Sequence, residues 1–310
     1  MNGERLFVFG FGYTARAVAA RMRPKVTEIF GTTRDPEKID EIAGMDVTPL
    51  LFDGSRTSPQ KGGERAALIA EADLVLVSIA PGEDGDPVLR HFRAELAAAK
   101  PKSLVYLSTV GVYGDHDGAW VDETSECRPV SKRSKERVTA ENAWREFSSE
   151  TSTPVVIVRL AGIYGPGRGP FEKVRRGTAL RIIKPGQVFN RIHVDDIAQI
   201  VEAAFERRAN GVFNGTDDEP APPQDVLAYA AELLRMPPPR EVAYEDAEFT
   251  PMARSFYGEN KRVRNDRIKR DLGVQLKYPT YREGLRAVLA AEGAQPNPLP
   301  EGEGGHEVTG

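Results

Sequence analysis

The stretch Arg5-Leu-Phe-Val-Phe-Gly-Phe-Gly-Tyr-Thr-Ala-Arg-Ala-Val-Ala-Ala20 decides the fold. A short apolar run, Leu6 to Phe9, stops at Gly10, and Gly12 follows two residues later. Ala15, Val18, Ala19 and Met22 then fall at i, i+3, i+4 and i+7, one face of a helix. Strand, glycine turn and helix in this order form the context in which a GxGxxG-like string carries meaning. Gly10 permits the tight turn, and Gly12 lets backbone approach a pyrophosphate at the helix N-terminus, beside Tyr13 and Thr14. Ala15 stands at the third glycine position, which needs only a small side chain. The expected function of this stretch is to hold a dinucleotide.

The strand–helix alternation continues. Glu28 to Thr32 reads as a second strand, and Asp35-Pro36 as a cap and first helical residue of a helix to about Ala43. Val47 to Phe52 is a third strand ending at Asp53, placed to bond an adenine edge. Asp73 to Ile79 is apolar nearly throughout, as in a strand buried on both faces. Ser58 to Gly63 reads as a polar connection and Val88 to Ala99 as a helix. Ser103 to Leu107 is a strand and Ser131 to about Glu146 a helix. A strand from Val155, a helix ending at Arg207 and a strand Gly211 to Asn214 follow. Such spacing predicts βαβ units and an α/β fold with a doubly wound parallel sheet.

Composition narrows the function. Formal charge is −4, from 42 basic and 46 acidic residues, so no global field favours nucleic acid. The single cysteine, Cys127, excludes an internal disulfide and fits a reducing compartment. His91, His116, His193 and His306 lack metal-ligand spacing, so no metal is expected. Leu6 to Phe9 is too short for a signal-peptide core, and no apolar run reaches the roughly 20 residues of a membrane span. The expectation is a soluble cytoplasmic protein with a small-molecule substrate, acting as monomer or homodimer with neither nucleic acid nor membrane as partner.

Past the second strand, an NAD site of this type usually carries an acidic residue for the ribose 2′-hydroxyl. Thr32, Thr33 and Arg34 stand there instead. Two hydroxyls and a guanidinium suit a 2′-phosphate, so NADP is expected rather than NAD.

From Ser108 the motifs become specific: Ser108-Thr-Val-Gly-Val-Tyr-Gly114, Arg159-Leu-Ala-Gly-Ile-Tyr-Gly-Pro-Gly167 and Arg191-Ile-His-Val-Asp-Asp-Ile197. With the glycine turn, their order resembles the extended short-chain dehydrogenase/reductase superfamily, of the NAD(P)-dependent epimerase/dehydratase type, over roughly residues 5 to 290. The resemblance implies a Rossmann domain over residues 1–166, continued by about 193–234. It implies a small substrate-covering region from 167–192 and 235–290. The Gly-, Pro- and Glu-rich tail 291–310 reads as disordered.

The resemblance also implies a catalytic Tyr with a Lys four residues later, and a Ser or Thr on the reacting oxygen. Thr109 fits the hydroxyl and Lys135 the lysine, which would also bond the nicotinamide ribose. Ser131 occupies the position of the phenol. Residues i and i+4 share a helical face, so Ser131 and Lys135 should point together. An aliphatic hydroxyl is a far weaker acid than a phenol of pKa about 10, so Tyr113 and Tyr164, on loops after strands, are substitute candidates. Ser78, Ala80 and Pro81, then Ser108 and Thr109, then Ala161, Gly162 and Ile163, should line the nicotinamide.

Arg159, Arg168, Arg175, Arg176, Arg181 and Arg191 give a basic density suited to an anionic or nucleotide-linked substrate. Arg168 and Arg191, with His193 in a minor role, are the substrate candidates, and Asp196 is the expected helix cap. Three functions fit this pattern: an NADP-dependent oxidoreductase or epimerase with a substitute acid, a catalytically silent NADP-binding sensor, or another reaction on the same frame.

Overall fold

In the computed structural model, which describes residues 3–54 and 62–294, the apolar runs and glycine turns resolve into alternating strands and helices. The strands begin with β1 (Arg5–Phe9), β2 (Glu28–Thr33), β3 (Thr48–Leu51), β4 (Leu74–Val77), β5 (Ser103–Thr109) and β6 (Trp120–Val121). They continue with β7 (Val155–Leu160), β8 (Gly162–Tyr164), β9 (Arg181–Ile183) and β10 (Arg191–His193). The last are β11 (Gly211–Gly215), β12 (Glu241–Ala243) and β13 (Arg262–Val263). The first helices are α1 (Tyr13–Met22), α2 (Ile39–Ala43), α3 (Gly62–Ala70), α4 (Pro87–Ala99), α5 (Lys132–Thr151) and α6 (Phe171–Arg175). After them come α7 (Val194–Arg207), α8 (Pro223–Leu233), α9 (Pro251–Tyr257), α10 (Asp266–Leu272) and α11 (Tyr281–Ala294).

Seven strands form one sheet in the order β11-β7-β5-β4-β1-β2-β3, and every pair is parallel. The expected doubly wound α/β fold is therefore present. On one face Leu6, Val8, Leu76 and Val105 pack against Val18 of α1 and Ile197 and Val201 of α7. On the other, Phe7, Phe9, Val75 and Tyr106 pack against Phe92 of α4 and Trp144 of α5. Alternating side chains of each strand thus feed two cores, and each fully buried large apolar side chain contributes about 1.5–3 kcal/mol. Burial on both faces is why β4 and β7 read as continuous apolar runs. Asp86 ties α4 to α5: its carboxylate accepts from the Val88 and Leu89 amides and from the Trp144 indole at 3.2 Å.

Several boundaries differ from expectation. Asp35 does cap, accepting from the Glu37 amide at 3.1 Å, but the first turn, Pro36–Lys38, is a 3₁₀ turn before α2. Helix α5 runs beyond Glu146 to Thr151. Gly62 already opens α3, while the connection from Ser58 to 61 lies outside the described residues. Helix α8, expected with the dinucleotide-binding unit, instead turns Val226, Ala230 and Ala231 into a separate core with Phe171, Tyr281 and Leu285. Its apolar stripe faces α6 and α11 rather than the sheet. Helix α11 extends to Ala294, so the tail expected from 291 is helical at its start, and residues 295–310 lie outside the description. Among the described residues no helix is long and apolar enough to cross a membrane.

Candidate functional site

β1 is hydrogen-bonded to β2 on one side and β4 on the other, so strand order reverses there and a crevice opens above its carboxyl end. Gly10 sits at this point with φ +86°, and a Cβ on it would meet Ile79 Cγ1 at 2.9 Å and the Ile79 backbone nitrogen at 3.2 Å. Only glycine satisfies both constraints. Gly12, the residue before α1, has ordinary φ −94°, and a Cβ there would project into open space. Helix α1 has neither a side-chain cap nor an acidic residue in its first turn. Open space before a run of uncapped amides at the positive end of a helix fits a pyrophosphate.

The second strand delivers the next candidates. Thr32 is fully buried and its hydroxyl accepts from the Gly10 amide at 2.8 Å, so it braces the glycine turn and is not available to a 2′-phosphate. The Thr33 hydroxyl accepts from the Asp35 amide at 3.1 Å and closes the following turn. Arg34 is exposed, and among the described residues it makes no ion pair. Asp53 is exposed just past the third strand, whereas Ala15 is buried against the sheet.

A cleft of about 940 Å³ runs from this turn over the ends of β4, β5 and β7. Thr14, Ser78, Ser108, Thr109, Ala161, Gly162 and Ile163 line it, whereas Ala80 is exposed outside the lining and Pro81 is buried outside it. Thr109 accepts from the Gly111 amide at 3.1 Å, which leaves its own proton to donate. The Ser108 hydroxyl points away, to Glu141 at 2.6 Å. Tyr13 spans the mouth: its hydroxyl donates to Pro166 O at 3.0 Å, and Arg168 stacks 5.6 Å from its ring.

The start of helix α5 separates the expected pair, since Ser131 lines the cleft and Lys135 does not. Ser131 is the cap, accepting from the Ser134 amide at 3.1 Å, with the two hydroxyls 2.9 Å apart. Lys135 is exposed and does not line the cleft. The residues of α5 that do are Arg133, Ser134 and Arg137. The buried stripe of α5 explains this phase, since Ala140, Glu141, Trp144 and Phe147 face the sheet. Stepping back by three and four residues leads to 137, 134 and 133, and away from 135. Arg137 donates to Leu107 O and, at 3.2 Å, to the Tyr106 hydroxyl. Arg133 stacks 5.8 Å from the Phe256 ring of α9, across the cleft mouth.

Tyr113 does not line the cleft either. It is 0% exposed, its hydroxyl donates to Asn214 Oδ1 at 2.8 Å, and burial pushes its pKa up to about 12. Tyr164 lines the cleft, and burial raises its pKa strongly. Arg159 is withdrawn from any substrate by a buried ion pair with Glu141 at 2.8 Å. The Arg159 guanidinium also touches Cys127 Sγ at 3.2 Å, and burial raises rather than lowers the thiol pKa.

His193 does not reach the cleft. Its Nδ1 accepts from the Asp195 amide and caps α7, the role expected of Asp196, while its ring packs between Tyr164 and Tyr278. Asp196 instead receives the amides of Lys277 and Tyr278 at 2.6 and 3.1 Å. Burial lowers the His193 pKa from 6.5 to about 4 and raises that of Asp196 from 3.8 to about 6. The unfolded chain therefore protonates His193 first, and that residue's share of stability is lost as pH falls from 6.5 toward 4. Asp196 has the opposite sign, because the folded protein holds its proton between pH 6 and 3.8. A His193→Asn variant keeps a capping acceptor without the proton. Its stability relative to wild type should improve by about 2 kcal/mol between pH 7 and 4.5. Urea unfolding at each pH reads this, and parallel trends would mean that His193 protonates inside the fold.

Two known proteins resemble this chain along most of its length. A functionally unknown conserved protein from Silicibacter pomeroyi DSS is 49% identical, with a TM-score of 0.82, covering 93% of this chain and 99% of its own. Protein YeeZ of Escherichia coli (strain K12) is 25% identical over 286 residues, 89% of this chain and 97% of that protein. A 3-diazoavenalumate denitrifying reductase from Streptomyces sp is 32% identical over 143 residues, 42% of this chain. That match spans only 45% of the reductase's length. Residues 88–215 match the NAD dependent epimerase/dehydratase family.

Proposed function

The chain belongs to the NAD-dependent epimerase/dehydratase family, and from that premise we propose an NADP-dependent oxidoreductase acting on a small anionic substrate. The observation that carries this reading is the glycine turn with its open, uncapped helix end, with Arg34 exposed just past the neighbouring strand. Arg133, Arg137, Arg168, Arg191 and Lys261 line the cleft against Glu259 alone, which supports an anionic substrate. The name of the Streptomyces relative supports reduction over epimerisation.

Gly10, Gly12, Tyr13, Thr14 and Ala15 would hold the pyrophosphate end, Thr33 and Arg34 the 2′-phosphate, and Asp53 the adenine. Ser78, Ser108 and Gly162 would border the nicotinamide. A bound reduced nicotinamide supplies a hydride equivalent. The protein must then stabilise charge on the accepting group and let a proton reach it. Thr109, with its hydroxyl proton free, donates a hydrogen bond to that group. Arg137 stabilises negative charge there but cannot act as an acid, because guanidinium keeps its proton. Ser131 and Ser134, with hydroxyls 2.9 Å apart, form a short relay between the cleft and solvent.

The lack of a phenol on the cleft face of α5 favours a second reading, a silent NADP-binding sensor. Consumption of NADPH and NADH, tested with carbonyl-bearing carboxylates and nucleotide sugars, separates the two. Wild type should consume NADPH. Arg34→Asp should weaken NADPH binding by about 1.5–3 kcal/mol, the size of a charge-assisted bond, and spare NADH. Equal use of both cofactors by wild type refutes the Arg34 assignment, and tight NADPH binding without consumption favours the sensor.

A further inference from the structure

Beyond the nicotinamide end, residues from the second half of the chain line a further part of the cleft, a chamber. Its walls are apolar, formed by Val188, Phe189, Val226, Leu227 and Leu285. Arg191 lines the same chamber. Its Nη1 donates to Phe189 O at 2.9 Å and Ala221 O at 3.1 Å, and among the described residues it makes no ion pair. Asp217 is the acid that acts on it electrostatically, but burial raises the Asp217 carboxyl well above its usual range. A guanidinium in an apolar chamber without a carboxylate against it is an incomplete pair, and unpaired charge in such a setting is costly. Tyr281 lines the same cleft and acts on Arg191 electrostatically, and its hydroxyl has no hydrogen-bond partner among the described residues.

Two other polar groups of the chamber, Lys261 and Asn190, are already committed. Lys261 is held by Glu259 at 2.7 Å and by Gly114 O at 2.7 Å. Asn190 spends its amide on Lys261 O and accepts from the Val263 amide. One carboxylate on an apolar body would find a guanidinium, a phenol and apolar walls.

We propose that this chamber selects small carboxylic acids with an apolar aryl or alkenyl body, with Arg191 and Tyr281 holding the carboxylate. The proposal deepens the reading given above and rests on it, since the acid would be presented to the nicotinamide end of the same cleft.

The test is calorimetric titration of the full chain, saturated with NADPH, with trans-cinnamate, its amide and UDP-glucose. Cinnamate should bind, and the uncharged amide should bind at least about tenfold more weakly, the loss expected when a charge-assisted bond is removed. Arg191→Gln should weaken cinnamate about tenfold or more, and Tyr281→Phe by less, both with NADPH affinity unchanged. If Arg191→Gln does not fold, Tyr281→Phe still decides, because loss of the phenol must weaken the acid more than the amide. Cinnamate affinity unchanged in every variant that folds, or UDP-glucose binding more tightly than cinnamate, overturns the proposal. NADPH binding without any cinnamate binding overturns it alone, whereas failure to bind NADPH overturns the dinucleotide reading.

Discussion

Gly12→Asp is expected to weaken NADPH binding roughly a hundredfold or more, about 2.7 kcal/mol, while thermal stability holds or rises. The opposite signs follow from one position. Gly12 precedes α1 at φ −94°, which any residue adopts, and a Cβ there meets nothing within 4 Å. The folded backbone therefore accepts aspartate without strain. Asp caps a helix at least as well as Gly and complements the positive end of the helix dipole. The same carboxylate fills the space left for a pyrophosphate and repels it. Fluorescence titration with NADPH and a thermal melt on one sample read both quantities. Retained affinity would place the pyrophosphate elsewhere, and a fall in melting temperature would assign the loss to folding.

The second large effect concerns the base of the cleft. Glu141 is 1% exposed and accepts from Arg159 Nη2 at 2.8 Å, from Arg159 Nε at 3.1 Å and from Ser108 at 2.6 Å. Burial works against the Arg159 charge, and Glu141 more than offsets it, so the arginine stays ionised. Glu141→Gln conserves shape and removes the counter-charge, leaving a buried guanidinium unpaired at a cost of about 3–5 kcal/mol. A Glu141→Leu/Arg159→Met double variant should recover most of that loss, since replacing both partners removes the uncompensated charge. Urea midpoints at constant m-value test both variants. A single-variant loss under about 1 kcal/mol would mean that water reaches the pair.

The frame was legible in the sequence because a parallel sheet covered on both faces demands uninterrupted apolar strands, and Leu74–Val77 and Val155–Leu160 supply them. The glycine turn was legible because the fold demands glycine at Gly10, while Gly12 leaves open space before α1. Lys135 falls off the cleft face of α5 for a physical reason. Ser131 with Lys135, and Arg133 with Arg137, both satisfy the i, i+4 rule, so spacing alone does not choose between them. The choice lay in the periodicity of Ala140, Trp144 and Phe147 further along, which sets the phase of the whole helix. His193 takes the cap expected of Asp196 because an imidazole acceptor caps as a carboxylate does, and only the partner loop at Lys277 and Tyr278 draws Asp196 away. Arg159 counts toward the basic density in the sequence because its partner, Glu141, lies on a different element.

The contact of Gly10 with Ile79 sets an order of events during synthesis. The turn that defines the dinucleotide site emerges from the ribosome early, with β1 and α1. Its rear wall belongs to the segment after β4, which joins the sheet beside β1 only once the intervening strands have been made. A nascent chain that ends before Ile79 carries the complete glycine motif and only part of the cradle. The cofactor therefore reports on the assembly of the first half of the sheet, not on the motif by itself.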